Sequence, residues 1–426
     1  MKQGFTIYDV LGSLSVIVLG ILAFYIIIRN YRSKYYFNFW SPLTFISLFY
    51  LYYVVITPLN LFLTGNAILV GVDMANSAYL SWFAALLSFA SILMGFRYYR
   101  GFKNVFWKFR ISHDQAFKYG FILFLLGFIL WTSVRGFQFN IFEVDETRSF
   151  ITGGFTMYIT SAISFLVASS GLILFKILKK KNVYYFIPLI LTLMVFIIQG
   201  SRFRLVYLVI TMATIYYIHQ KKKLNIILWA IIGFGFFLLM GIIEISRNYS
   251  RGLDLTKVEG MQIRDFVDNA QNESKVFFFS GEVIKYVLKT GEHIYFEPIT
   301  TALFMPLPRA IFPTKPDGQY LRYIQNRILG SDLTGAAFLH YAEFFYAFGW
   351  IGVIINGLLI GMMSKAFWVN FLRQPENLTS ILTLGLFNGF LYILISRGYL
   401  AQAFFSFMYF IVIPILIVRI LLRAIR

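Results

Sequence analysis

The residues of this chain best placed to act on a charged substrate are arginines and lysines standing where apolar segments end. Gly200-Ser201-Arg202-Phe203-Arg204 occupies a very tight connection between two apolar stretches. An arginine at a hydrocarbon boundary is costly unless it reaches water or meets an anion. Arg202 and Arg204 together therefore point to a partner of phosphate type. In Pro306-Leu307-Pro308-Arg309-Ala310-Ile311-Phe312-Pro313-Thr314-Lys315-Pro316 two further cations, Arg309 and Lys315, sit between prolines. The prolines fix the backbone and hold both charges in a set geometry at low entropic cost. Ser396-Arg397-Gly398 repeats the tight-turn placement, and Arg148, followed by Gly153-Gly154, lies in another polar connection. Each has a plain competing explanation: helix ends anchored among headgroups, a solvated rigid loop, or, for Arg148, pairing with Asp145 or Glu146.

Candidate acid–base groups are few. His340 and Glu343 are spaced i, i+3 where the chain returns to apolar sequence, which puts them on one face if a helix has begun. Either could accept a proton from an attacking hydroxyl; the plain alternative is an ion pair for Glu343 and a helix cap for His340. Glu244 and Glu297 stand behind them. Glu143-Val144-Asp145-Glu146 is an acidic cluster with no partner histidine, so it reads as a solvated loop and no metal site is expected. His113 and His219 read as structural. The absence of cysteine excludes disulfides and thiolate chemistry, and no phosphate-loop, dinucleotide or metalloprotease motif is present.

The elements that must position these residues are membrane helices. Over 426 residues, 59% are hydrophobic and 13% charged, and apolar blocks long enough to cross a hydrocarbon layer of ~30 Å recur along the chain. They fall near 10–28, 39–62, 80–96, 116–134, 155–175, 183–199, 205–218, 224–244, 343–364, 378–395 and 401–418, giving an all-α polytopic membrane protein with about eleven spans, in a range of ten to twelve. Three parts follow: an N-terminal bundle over 1–244, a long polar run over 245–340, and a C-terminal bundle over 341–426. Gly357-x-x-x-Gly361 reads as close helix packing.

Basic residues fall on alternate connections: Arg29, Arg32 and Lys34; Arg97 to Arg110; Lys176 to Lys181; Lys221 to Lys223; Lys365 and Arg373; and Arg419 to Arg426. Such residues stay cytoplasmic, so the N-terminus is expected outside, the C-terminus inside and the run 245–340 extracytoplasmic. The segment before Arg29 has no cleavage-site pattern and reads as a retained span. The net charge of +19 then reports topology and contact with anionic lipid, not nucleic-acid binding. Within the long run, Lys275 to Thr290 has an amphipathic pattern suited to the membrane interface. Ile294 to Phe312 is too rich in proline for a spanning helix and reads as a short or re-entrant segment.

Gly200-Ser201-Arg202 at an outer helix end, then a long outer loop carrying Pro308-Arg309-x-x-Phe312-Pro313-x-Lys315-Pro316, then Glu343 leading into Phe348-Gly349-Trp350-Ile351-Gly352, resembles the Wzy-type O-antigen and capsular polysaccharide polymerases. The spaced Arg-to-Gly repeats of some members are not evident. The resemblance implies a GT-C-like fold and glycosyl transfer at the outer face of the bacterial inner membrane. The donor would be a polysaccharide on undecaprenyl diphosphate, and the acceptor a single undecaprenyl-diphosphate-linked oligosaccharide. It also implies partner proteins, namely a flippase and a chain-length regulator. Arg202, Arg204, Arg309, Lys315, Arg397 and Arg148 would bind substrate or diphosphate, with Glu343 or His340 as base and no cofactor. Two other readings stay open. A flippase or transporter of the same lipid-linked oligosaccharide would also need outer arginines, but no obvious internal repeat is present and almost no ionisable residue falls deep within a span. A ligase of the O-antigen type differs only in its acceptor.

Overall fold

The computed structural model describes residues 7–100, 109–136, 140, 142, 156–246, 253–309, 311–316, 318–330 and 337–424. Arg148 and the acidic residues at 143–146 lie outside them. Among the described residues nine helices are long and apolar enough to cross a membrane. The chain is thus a helical polytopic membrane protein. In order, α1 (Ile7–Tyr31), α2 (Pro42–Leu63), α3 (Ala75–Tyr98), α4 (His113–Val134) and α5 (Tyr158–Lys179) are followed by α6 (Val183–Ile198), α7 (Arg202–His219) and α8 (Ile226–Ser246). The long polar run holds four shorter helices, α9 (Ile263–Gln271), α10 (Val276–Thr290), α11 (Glu297–Phe304) and α12 (Gln319–Leu329). Then α13 (His340–Arg373), α14 (Leu378–Ser396) and α15 (Leu400–Ala424) follow. Two of the expected spans stand outside the nine: α6 is short, and α7 begins with two arginines and ends on His219. A small antiparallel pair, Ile68–Leu69 with Val72–Asp73, joins α2 to α3.

Every residue of α14 is buried, which makes it the hub of the bundle. α3 and α13 run against each other, and the Gly357-x-x-x-Gly361 spacing lies at their contact. A Cβ on Gly361 would stand 2.2 Å from the Ile92 carbonyl oxygen, so only glycine permits this approach. Among the described residues the long polar run has no separate core. Phe277, Phe278, Val283 and Ile284 of α10 and Ile324 of α12 belong to the same buried cluster as the spans. The apolar face of α10, expected on the lipid interface, packs on α3 and α13 instead.

Two local departures from α-helical geometry place side chains that matter below. α2 passes through a π-helical turn at Leu51–Ile56 before Pro58, and α15 through one at Met408–Val412 before Pro414. Proline lacks the N–H that would bond to the carbonyl four residues back; for Pro58 that carbonyl belongs to Val54, and the Trp82 indole donates to it at 2.8 Å. In α13 the helix breaks at Phe348 and Gly349, the latter at φ 61°, ψ −149°, a conformation open to glycine and strained for other residues. The break separates a short segment bearing His340 and Glu343 from the long helix that resumes at Trp350.

Candidate anion site at the arginine cluster

The Gly200-Ser201-Arg202 turn starts α7 and sends the Arg202 side chain inward, so that the residue is only 4% exposed. Its Nη2 lies 2.7 Å from Glu244 Oε2, near the end of α8, and 2.9 Å from Glu273 Oε1. Glu273 comes from the long polar run, in the 3-10 turn Asn272–Lys275 between α9 and α10. Arg397, in the turn after α14, reaches the same Oε1 at 3.3 Å. The other oxygen, Oε2, accepts from the hydroxyls of Tyr392 at 3.0 Å and Tyr53 at 3.2 Å, and these two hydroxyls are 3.1 Å apart. Tyr53 is carried by the π-helical turn of α2. Arg204 donates to Ser201 Oγ at 2.8 Å and lies over the Phe203 ring at 4.6 Å, with Arg397 near the same ring at 5.5 Å. Two arginines therefore converge on one carboxylate, and the third, Arg204, shares the Phe203 ring with Arg397.

Burial alone would push the Glu273 carboxyl up. The charges of Arg202 and Arg397, then the Tyr392 and Tyr53 hydroxyls, outweigh it and hold the group below the usual carboxylate value. The guanidinium of Arg202 is not saturated by these contacts: its buried Nε has no acceptor among the described residues. A buried donor without a partner is costly, and an incoming anion would relieve it.

His340 and Glu343 start α13, as their spacing anticipates, and both are buried. Glu343 Oε1 accepts from the Tyr320 hydroxyl of α12 at 2.5 Å, and Oε2 from the Leu400 amide at the start of α15 at 2.7 Å. Burial first, then the charge and bond of Glu343, push the Tyr320 phenol far up, so it stays a donor. His340 Nε2 lies 3.0 Å from both Tyr50 Oη and Ser88 Oγ. The Gly398 amide donates to the Phe338 carbonyl at 2.8 Å, which ties this segment to the turn that bears Arg397. His340 and Glu343 thus face the 395–400 turn from the other side of Arg397, with their polar atoms already engaged.

The proline-rich loop is placed differently. Lys315 Nζ donates to the carbonyls of Leu307 at 2.8 Å and Met305 at 3.3 Å and to the Tyr158 hydroxyl at 3.0 Å, closing the loop onto the start of α5. Arg309 is exposed on that loop. Glu297 begins α11. The ring nitrogens of His113 and His219 meet at 3.1 Å, joining the start of α4 to the end of α7.

Glu273 is the residue that sequence reasoning missed. Its partners at 53, 202, 392 and 397 are distant in the chain, and its neighbours Asn272 and Ser274 make it look like an ordinary loop carboxylate. The one available signal is position: it is the last acidic residue before the apolar run Val276-Phe277-Phe278-Phe279. No protein-family model, curated protein or solved structure matches the chain. Its own fold and site define its class: a helical membrane protein with an arginine cluster, braced by carboxylates and phenols, where its spans meet its longest loop.

Proposed function

We propose that the chain is a glycosyltransferase that polymerises undecaprenyl-diphosphate-linked oligosaccharide repeat units at the outer face of the bacterial inner membrane, with about eleven spans, the N-terminus outside and the C-terminus inside. The observation that carries this reading is the meeting of Arg202 and Arg397 on Glu273, with the Arg202 Nε–H left for a further acceptor. A diphosphate leaving group needs cations fixed where its charge develops, and here they are fixed by elements distant in sequence. In the reaction the acceptor hydroxyl oxygen bonds to the donor's anomeric carbon, the bond from that carbon to the diphosphate oxygen breaks, and the lipid diphosphate departs with the electron pair. The hydroxyl proton goes to a carboxylate.

Glu273 suits that last role better than the two groups first considered. A diphosphate that takes Arg202 and Arg397 removes the charges that depress Glu273, so the carboxylate becomes more basic as substrate binds. Glu343 would have to shed Tyr320 or the Leu400 amide, and His340 would have to leave Tyr50 and Ser88. Both act instead as positioning residues for the turn that bears Arg397. Arg204 adds charge to the clamp, while Lys315 closes the proline-rich loop that carries Arg309.

The test is surface-glycan analysis after gene deletion, complemented by Arg397→Ala. Single-repeat glycans in both strains, with the Arg397→Ala protein at wild-type level in the membrane, support the polymerase. Full-length polymer that fails to reach its final acceptor means a ligase, and lipid-linked repeats trapped inside mean a flippase.

A further inference from the structure

At the end of the bundle where α1, α3 and α13 finish and α2 begins, a cleft of about 970 Å³ opens between these four helices. Arg29, Arg97 and Lys365 line it together with Asn30, Ser33, Asn38 and Ser41. No carboxylate is among the described lining residues, and none is close along the chain to the three cations. There is no Asp or Glu between Asp9 and Asp73, between Asp73 and Asp114, or between Glu343 and Glu376. Three cations from three helices thus share a recess whose walls supply no counterion, and like charges so gathered favour a bound anion.

The recess is ordered. Lys365 Nζ is held 4.9 Å from the Phe96 ring centre, Asn30 donates to Thr44 at 2.8 Å and Asn38 to Ser33 at 2.6 Å. Deeper in, Leu22, Ile26, Leu43, Leu93 and Phe96 make an apolar wall. A free phosphate would use the charges and leave the wall and most of the volume unused, since cavities of about 300–1,000 Å³ suit whole organic ligands. We infer that this cleft binds an anionic lipid, with its phosphate among Arg29, Arg97 and Lys365 and its hydrocarbon against the wall. The site is separate from the arginine cluster at Glu273 and stands whether or not the proposed transfer reaction is correct.

The test is native mass spectrometry of the full-length protein in detergent, titrated with phosphatidylglycerol, phosphatidylcholine or inorganic phosphate. Wild type should retain phosphatidylglycerol in preference to phosphatidylcholine. The Arg29→Ala/Arg97→Ala/Lys365→Ala variant should lose about tenfold or more of that retention, given the contribution of each basic residue to anionic-lipid binding. Lys365→Met, which keeps the packing on Phe96, should lose about fivefold and serves if the triple variant misfolds. A control with Lys179, Lys180 and Lys181 changed to alanine removes as much charge outside the cleft. Equal loss in the control, or undiminished binding by Lys365→Met, overturns the proposal. Stoichiometric displacement of phosphatidylglycerol by millimolar inorganic phosphate overturns the lipid assignment and shows a free-phosphate site.

Discussion

Glu273 balances two guanidiniums and two phenols, and its removal should be felt in proportion. Glu273→Ala leaves Arg202 with Glu244 alone and strips the carboxylate from Arg397; we expect a loss of roughly 3 kcal/mol, read by thermal unfolding in detergent. Glu273→Gln keeps an acceptor for the tyrosines and should lose less. The depressed carboxyl also gives a pH signature. A group held lower in the folded state than in the unfolded chain contributes its full stabilisation above the usual carboxylate value of 4.5 and loses it as pH falls through the lower folded value. Wild type should therefore become less stable as the pH is lowered below 4.5, while Glu273→Gln shows a flatter profile. Parallel melting curves for the two proteins across that range would rule out Glu273 as the titrating group. At this scale the arginines were legible in the sequence because a cation beside a long apolar stretch stands out. The carboxylate that gathers them was not, because its surroundings in sequence are ordinary and its partners arrive only by folding.

The helices themselves were the most legible feature, since hydrophobic length is written residue by residue. Their irregularities were not. The π-helical turn of α2 follows from Pro58 together with an indole donor on another helix, and nothing local reveals Trp82 as that donor. The link can be measured: Trp82→Phe should cost about 1 kcal/mol by leaving the Val54 carbonyl without its bond. In a Pro58→Ala background, where residue 58 regains an N–H, it should cost less. An additive double-mutant cycle would dissociate the indole from the proline. The α3–α13 contact makes a second demand. Gly361→Ala forces a methyl towards the Ile92 carbonyl, and we expect roughly 1–3 kcal/mol of destabilisation, the usual cost of overpacking. The face of α10 was misread for a related reason. Amphipathic periodicity tells that one side is covered, but the same pattern serves a lipid interface and a protein groove.

On the scale of the whole molecule, the alternating basic connections predict a sidedness that the chain makes easy to measure, because it has no cysteine to remove. Single cysteines at the exposed positions Lys180 and Lys289 should react with a membrane-impermeant maleimide from opposite sides. Lys289→Cys should label in intact spheroplasts, and Lys180→Cys only after permeabilisation. Labelling of both in intact spheroplasts would invalidate the assigned orientation. How the long run docks on the bundle was beyond sequence reasoning, since its contacts join it to helices on both sides of it in the chain.

The complete burial of α14 also has a consequence for how the protein is made. Membrane helices enter the bilayer largely one after another and associate afterwards, and α14 leaves the ribosome only after α1 to α13. Until Leu378 to Ser396 has been translated, the earlier helices have no hub to gather around, and Arg202 must wait for Glu273. Assembly is therefore a late event, and the unfinished chain depends on the lipid and the insertion machinery to keep its inward faces from pairing with the wrong neighbours.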